Sequence, residues 1–402
     1  MTNAEHAPLA GFTVIEHAEG VAASYAGRML AVMGASVIKV EPPAGSALRT
    51  SEPLLTSEPP ASALFHYLNT RKKFATCDLA SAEGRTLFGR LLDRADVLID
   101  DTPLAARPGL KLDAETITGN HPGLVYLSVL PFGADGVHAD YRAYELNVLH
   151  AGGEGFLMPN GLALETFPER PPVKIYGHFA EFMGGTSATC AALAALMVRD
   201  EVGGQFVDVS VQDANISVGC FAIQRLGDGV LETRDTRSFK YGGVLECSDG
   251  YVGLLTLEER QWEGLVELMG NPEWAQEAAL KDPLERGRRG KEINAHIRAW
   301  AKTQCIADVV AKGQQLGVPF AKYNEASDLL ASDQLRQRKV FEPLDISSVG
   351  AVPAFTAPFQ FDGAALELGW AAAEPGADND AVWGESLDHQ PDVKNRGRVG
   401  TA

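Results

Sequence analysis

Two carboxylates and two imidazoles stand in the middle of the chain, Glu145 with His150 five residues on and His178 with Glu181 three residues on. Gly184-Gly185 follows at once and opens a run of small residues, ATCAALAALMV, that reads as a helix to about Val198. A carboxylate beside a helix N-terminus is held as the anion by unpaired N–H groups and the helix dipole. Such an anion can attack an acyl carbon, and the same N–H groups of Gly184 and Gly185 could hold the oxyanion that forms. The pattern has a second reading, in which Glu181 caps the helix and His150 and His178 are satisfied structural histidines.

A second group is basic: Arg71-Lys72-Lys73, with Lys39 and Arg49 in or after a strand. The chain has 402 residues, with 35 Lys and Arg against 53 Asp and Glu, a net charge of −18. A surface of that sign repels nucleic acid and anionic membranes, so neither is an expected partner. An anionic ligand would need a local positive focus, and these five residues are the candidates for it; the alternative is an ordinary solvated loop.

The elements that must position these groups alternate. Thr13 to Glu16 and Ser36 to Val40 read as strands around a helix from Ala22 to Met33. The pattern recurs as a strand over Phe74–Leu79, a helix over about 82–94, and strands over Val97–Asp100, Leu124–Val129 and Gln205–Val211. Strands alternating with helices predict a doubly wound α/β domain on a parallel sheet. After about Arg225 the style changes to a hairpin, Val244–Cys247 and Tyr251–Leu255 around Asp249-Gly250, followed by helical text to about Leu316. The expected division is a large α/β domain over 1–224, a smaller inserted α+β domain over 225–325, and a return over 326–402 that wraps over a neighbour.

Several chemistries are excluded. The first βα turn, His17-Ala18-Glu19-Gly20-Val21, lacks G-x-G-x-x-G, and no P-loop, G-x-S-x-G or H-E-x-x-H occurs. Five scattered cysteines without C-x-x-C spacing give neither a disulfide framework nor a zinc site. The apolar run from Ala188 to Val198 is shorter than the ~20 residues of a membrane span, and the first residues carry no basic and apolar leader. A cytoplasmic protein with no bound metal or cofactor is the expectation.

Longer segments carry a resemblance. The opening LAGFTVIEHAEGVAASYAGRMLAVMGASVIKVEPPAG contains GA-x-VIK-x-E-x-P at Gly34 to Pro43, and LFHYLNTRKKFATCDL (64–79) matches N-x-x-K-x-S-x-x-x-DL with Phe74 for the Ser. With them, in order, stand PGLVYLSVLPFGADG (122–136), AYELNVLHAGGEG, RPPVKIYGHFAEFMGGTSATCAALAAL (170–196), GGQFVDVSVQDA and GVPFAKYNEASDLLASDQL (317–335). Over almost its whole length the chain resembles the family III CoA-transferases, the CaiB/BaiF group that includes formyl-CoA and carnitine CoA-transferases.

The resemblance implies transfer of CoA from an acyl-CoA to a free carboxylic acid through anhydride and thioester intermediates on a carboxylate, with 170–196 as the catalytic segment. That carboxylate falls on Glu181, where the family has Asp; an extra methylene shifts it by roughly an ångström, enough to cost on the order of 10²-fold if nothing compensates. It implies that Glu145 and His150 line the acyl pocket, that His17, Lys39, Arg49, Arg71, Lys72 and Lys73 meet the CoA, and that the chain forms an interlocked homodimer. Pro42 and Pro103 stand where relatives often have Arg for CoA phosphates. The glycine-rich lid of formyl-CoA transferases is missing before Tyr241-Gly242-Gly243, which counts against oxalate and formate as substrates. Racemases on this scaffold carry His-Asp where this chain has Tyr144-Glu145. Three readings therefore stand: a transferase with Glu181 as nucleophile, a racemase, isomerase or lyase with Glu181 as acid or base, and an acyl-CoA-binding protein without catalysis. The acyl group is not legible.

Overall fold

The structure is a computed structural model that describes residues 7–219 and 241–384, with 227, 229, 233 and 234 between them. The chain divides into two compact units, one of Met1–Gly152, Ile175–Gly219 and Asp333–Ala402, the other of Gly153–Lys174 and Cys220–Ser332. The expected boundary at 224/225 lies outside the described residues. Gly153–Lys174 belongs with the second unit, so the 170–196 segment is divided between the two; its Gly and Pro content gave no period by which to place it.

In the first unit the elements run β1 (Thr13–His17), α1 (Val21–Val32), β2 (Ser36–Glu41), α2 (Ala63–Leu68), β3 (Lys73–Thr76), α3 (Ala82–Leu92), β4 (Val97–Asp100), β5 (Val125–Leu130), α4 (Glu145–Ala151), α5 (Phe179–Val202), β6 (Phe206–Ser210) and α6 (Val211–Gly219). The six strands form one parallel sheet in the order β3-β2-β1-β4-β5-β6. Helices cover both faces, so strands such as VLID and VYLSVL are buried along their whole length rather than on alternate residues. The chain winds outward from β1 in one direction and from β4 in the other. Neighbouring loops therefore part at the carboxyl ends of β1 and β4, where open sheets of this kind form a crevice.

By length and composition α5 is apolar enough to cross a membrane. Its small residues have another use, since Gly184, Gly185, Ala188, Ala192 and Ala195 are buried where α5 packs beside α1 and over the sheet. A Cβ on Gly185 would stand 2.5 Å from the Ala22 carbonyl oxygen, so the two helices touch backbone to backbone.

The segment beyond Asp333 has regular structure of its own. Phe341–Ile346 and Gly350–Phe355 pair as an antiparallel hairpin. Further on, Asp378 Oδ2 and Asn379 Oδ1 accept the Phe74 and Thr76 N–H groups of edge strand β3 at 2.7 and 2.9 Å. Side chains thus close an edge that would otherwise invite another strand.

The second unit contains the hairpin β7 (Gly243–Cys247) and β8 (Gly250–Leu254), with β9 (Phe320–Lys322) added to β8. Helices α7 (Glu259–Leu268), α8 (Gly290–Ala301) and α9 (Ile306–Gln315) contribute Trp262, Leu265, Ile293, Ile297 and Val309 to a core shared with Leu245, Val252, Leu254 and Phe320. Each helix is polar on its other face, as a helix covering one side of a small sheet must be.

Three charges lie beneath the first crossover. Glu16 on β1 accepts Lys39 Nζ from β2 at 2.9 Å and Lys72 Nζ from the turn before β3 at 2.6 Å, and all three side chains are fully enclosed. Lys39 also donates to the Ala18 carbonyl at 2.7 Å, and Lys72 to the Ser24 carbonyl and Asn69 Oδ1, both at 2.9 Å. The carboxylate reaches the lysines through a gap that exists because residue 27 of α1 has no side chain: a Cβ there would stand 1.8 Å from Glu16 Oε2. Gly27→Ala must push Glu16 off Lys72 and should cost about 3 kcal/mol or more, as breaking a buried pair does. Calorimetry should show a clear fall in Tm; an unchanged transition would mean that the ion pair does not hold α1 to the sheet.

Candidate active site

The site is built on the first turn of α5. A helix leaves its leading N–H groups without intrahelical partners, and here Glu145, buried at the start of α4, supplies them: its Oε1 accepts Ala180 N–H at 3.1 Å and its Oε2 accepts Glu181 N–H at 3.0 Å. The Phe182 N–H is bonded to the His178 carbonyl at 2.9 Å. Phe182 anchors the same turn from the side, its ring edge-on to Tyr25 at 4.8 Å and to Tyr67 at 6.0 Å. Glu145 is thus the cap, and Glu181, whose own N–H is capped, is free of that task.

The Glu181 carboxylate meets His178 instead, with Nδ1 and Oε2 2.6 Å apart. Three residues apart across the helix start, the two side chains share one face. Glu181 also lines a cavity of about 490 Å³. Its other walls are Gly20, Ala22 and Ala23 after β1, Asp101 and Pro103 to Ala105 after β4, Val129 to Pro131 at the end of β5, and 139–144. This is the crevice that the strand order requires, and Glu181 is brought to it from the helix that follows.

Other expected residues fall elsewhere. Glu145 acts on the backbone of α5, and neither it nor His150, in the last turn of α4, is among the residues lining the cavity. Gly184 and Gly185 do not start the helix. It begins five residues earlier at Phe179, so these glycines lie past the unpaired N–H groups and serve close packing, Gly184 against Val211 and Gly185 against Ala22 and Tyr25. The run of small residues marked where α5 is packed most closely, not where it begins.

The basic residues need a larger correction. Lys39 and Lys72 are enclosed and bound to Glu16, with no surface to offer a phosphate. Burial lowers the Lys72 pKa to about 7 despite the neighbouring carboxylate, and also opposes charge on Lys39, where Glu16 prevails and the pKa is raised. Arg49 grips Glu41 with two hydrogen bonds of 3.0 and 2.8 Å and lies 4.3 Å over the Phe65 ring. Arg71, at φ +65°, packs beside Trp370 and Glu367, and Lys73 is exposed at the start of β3. Arg142 is the one cation among the described residues that line the Glu181 cavity, and sequence reading passed over it. Its signal was position, three residues before Glu145.

His17 ends β1 with Nδ1 3.2 Å from Asp100 Oδ1. Burial opposes the Asp100 charge, but the hydrogen bond from His17 and the Arg107 guanidinium, 3.1 Å away, hold its pKa below the usual carboxylate range. Tyr126 donates to Asp100 as well, at 2.9 Å. The adjoining Asp101 accepts Glu19 N–H at 3.0 Å and Gly20 N–H at 2.5 Å, which caps α1, while burial pushes its pKa up to about 6. Neither carboxylate was singled out from sequence, since an aspartate closing a strand has no local mark of such a role.

The profile described as CoA-transferase family III matches residues 9–380. The chain belongs to this family. It is 28% identical over 370 residues to a succinate–glutarate CoA-transferase of Agrobacterium fabrum, covering 87% of this chain and 88% of that protein. It is 28% identical over 311 residues to a probable fatty acyl-CoA transferase of Mycobacterium tuberculosis, with 72% and 76% covered. A CAIB/BAIF family protein of Brucella suis superposes with a TM-score of 0.81 at 29% identity, over 95% of this chain and 99% of that one. This family III protein is therefore an enzyme of the CoA-transferase class, with CoA thioesters as its substrates.

The burial of Lys72 gives the CoA-transferase a measurable pH dependence. Because its folded pKa is about 7 against an ordinary 10.5, the unfolded chain holds this proton more tightly between those values, and stability gains from Lys72 as pH rises across that window. Lys72→Met lacks the contribution. The Tm of the wild type relative to Lys72→Met should climb from about pH 7 toward pH 10; a difference that stays flat would show that Lys72 remains charged in the folded protein.

Proposed function

We propose that this enzyme moves CoA from an acyl-CoA to a free carboxylic acid by way of the Glu181 carboxylate. One observation carries the reading: Glu181 is brought by a capped helix start to the wall of the crevice cavity, with its charged end held by a histidine. Its carboxylate oxygen attacks the thioester carbonyl carbon, the C–S bond breaks, and CoA leaves as thiolate from a mixed anhydride. The thiolate then adds to the glutamyl carbon and expels the donor acid, leaving a glutamyl-CoA thioester. The acceptor carboxylate displaces the thiolate through a second anhydride, and the thiolate attacks the acceptor's acyl carbon to give the new CoA ester and free Glu181. Donor and product are both CoA thioesters, so activation is conserved over the whole cycle and the sequence needs neither ATP nor a metal.

Arg142 is the cation we assign to the CoA phosphates at the cavity mouth, in place of Lys39 and Lys72. The exposed Met197, Val198 and Val202 near the end of α5 give a second copy an apolar face, in keeping with a homodimer. A cytoplasmic enzyme acting on an acyl-CoA fits this reading. The contact between His178 and Glu181 would also suit an acid–base pair acting on an α-proton, so the same scaffold supports a racemase or isomerase as the second reading.

The readings separate in one set of measurements. During turnover, borohydride or hydroxylamine should modify Glu181, as found by peptide mass spectrometry, and Glu181→Gln should abolish transfer. An unmodified peptide in a sample that turns over, with deuterium from solvent entering the α-position, would replace the transferase with the second reading. Glu181→Asp, which withdraws the carboxylate by one methylene, should lose on the order of 10²-fold in kcat. Arg142→Ala should raise KM for the acyl-CoA in a salt-dependent way with little change in kcat; an unchanged KM would remove Arg142 from the binding site.

A further inference from the structure

The transferase reading leaves one need unmet. When thiolate or carboxylate adds to the glutamyl carbon, the carbonyl electron pair moves onto the non-bridging oxygen of Glu181, and that charge needs a donor placed in advance. The helix N-terminus is the obvious source, but the N–H groups nearest Glu181 are engaged: Ala180 and Glu181 donate to Glu145, and Phe182 donates to the His178 carbonyl. The donor that does reach the carboxylate is the His178 imidazole, 2.6 Å from Oε2. An ionised carboxylate only accepts, so the proton in this contact sits on Nδ1.

We propose that His178 is the oxyanion donor for the glutamyl half of the reaction. Its Nδ1–H holds Oε2, which leaves Oε1 to attack the donor thioester and become the bridging oxygen of the anhydride. When CoA thiolate adds to the glutamyl carbon, charge gathers on Oε2 beneath the His178 N–H; collapse restores the C=Oε2 bond, and the donor acid departs with Oε1. The next addition, by the acceptor carboxylate to the glutamyl-CoA thioester, places charge on the same atom and expels thiolate. His178 keeps its proton throughout. In the first step the charge gathers on the donor's own carbonyl oxygen, away from the imidazole, so His178 speeds conversion of the anhydride rather than its formation. The inference rests on the transferase reading and adds a residue to it.

The test compares His178→Leu, which removes the donor, with His178→Asn, whose amide nitrogen can occupy the place of Nδ1. His178→Leu should lose about 10²-fold in kcat, the usual cost of one oxyanion donor, with KM for acyl-CoA nearly unchanged. His178→Asn should recover most of the loss. With acyl-CoA alone and no acceptor acid, intact-protein mass spectrometry of samples quenched in acid early in the reaction should find the CoA adduct on Glu181 in the wild type and a shift toward the acyl adduct in His178→Leu. Wild-type turnover in His178→Leu, equal impairment in His178→Asn, or an adduct ratio that does not move would each overturn the assignment. A wild-type enzyme that turns over with neither adduct would instead overturn the transferase reading itself, which the first two outcomes leave standing.

Discussion

The placement of Glu181 depends on a helix having N–H groups to satisfy. Glu145 meets two of them from another helix, at 3.1 and 3.0 Å, and in doing so ties α4 to α5 with two charge-assisted hydrogen bonds in a buried setting. Removing that carboxylate would leave two donors, one buried and one partly buried, without an acceptor, a loss larger than that of an ordinary exposed cap. Because Glu145 performs the capping, the neighbouring carboxylate need not, and its side chain can reach the cavity. Two acidic residues that look interchangeable in sequence thus have different surroundings, one directed at the backbone and one at the cavity.

The backbone plan was legible because it depends on local periods. Buried strands such as Val97–Asp100, and a helix with an apolar face such as α3, announce themselves within a dozen residues. The parallel strands and the later antiparallel hairpin follow from the same patterns. The site was legible only in part, because its parts meet across long separations. Glu145 and Glu181 are 36 residues apart, and Lys72 reaches Glu16 from the far side of two strands. Arg71, Lys72 and Lys73 form one basic run in sequence, yet burial differs at each: the middle residue is sealed inside and its neighbours are not. In an irregular turn the direction of a side chain follows from what packs on it, and no spacing rule supplies that.

The charge of −18 takes on a different meaning inside the fold. Basic residues are scarce, and several of them, Lys39, Lys72, Arg49 and Arg107, are committed to single carboxylates. Such pairs replace hydration that burial removed and add little net stability, but losing one partner strands the other. Charge in the first unit is therefore used mainly to lock segments together, while Asp101, Asp140 and Glu181 share the cavity wall with Arg142 as the one cation among the described lining residues.

The extra methylene of Glu181 is consistent with this economy. A shorter aspartate at the third position of the helix would hold its carboxylate nearer the backbone, where the Ala180 and Glu181 N–H groups have already been claimed by Glu145. The longer arm lets the carboxylate turn back along the helix to the residue three positions earlier, where an imidazole is waiting, and still line the cavity. Glu181, His178 and Glu145 thus form one interdependent arrangement. With the Ala180 and Glu181 N–H groups taken, one methylene of added reach brings the Glu181 carboxylate within hydrogen-bond distance of the His178 imidazole.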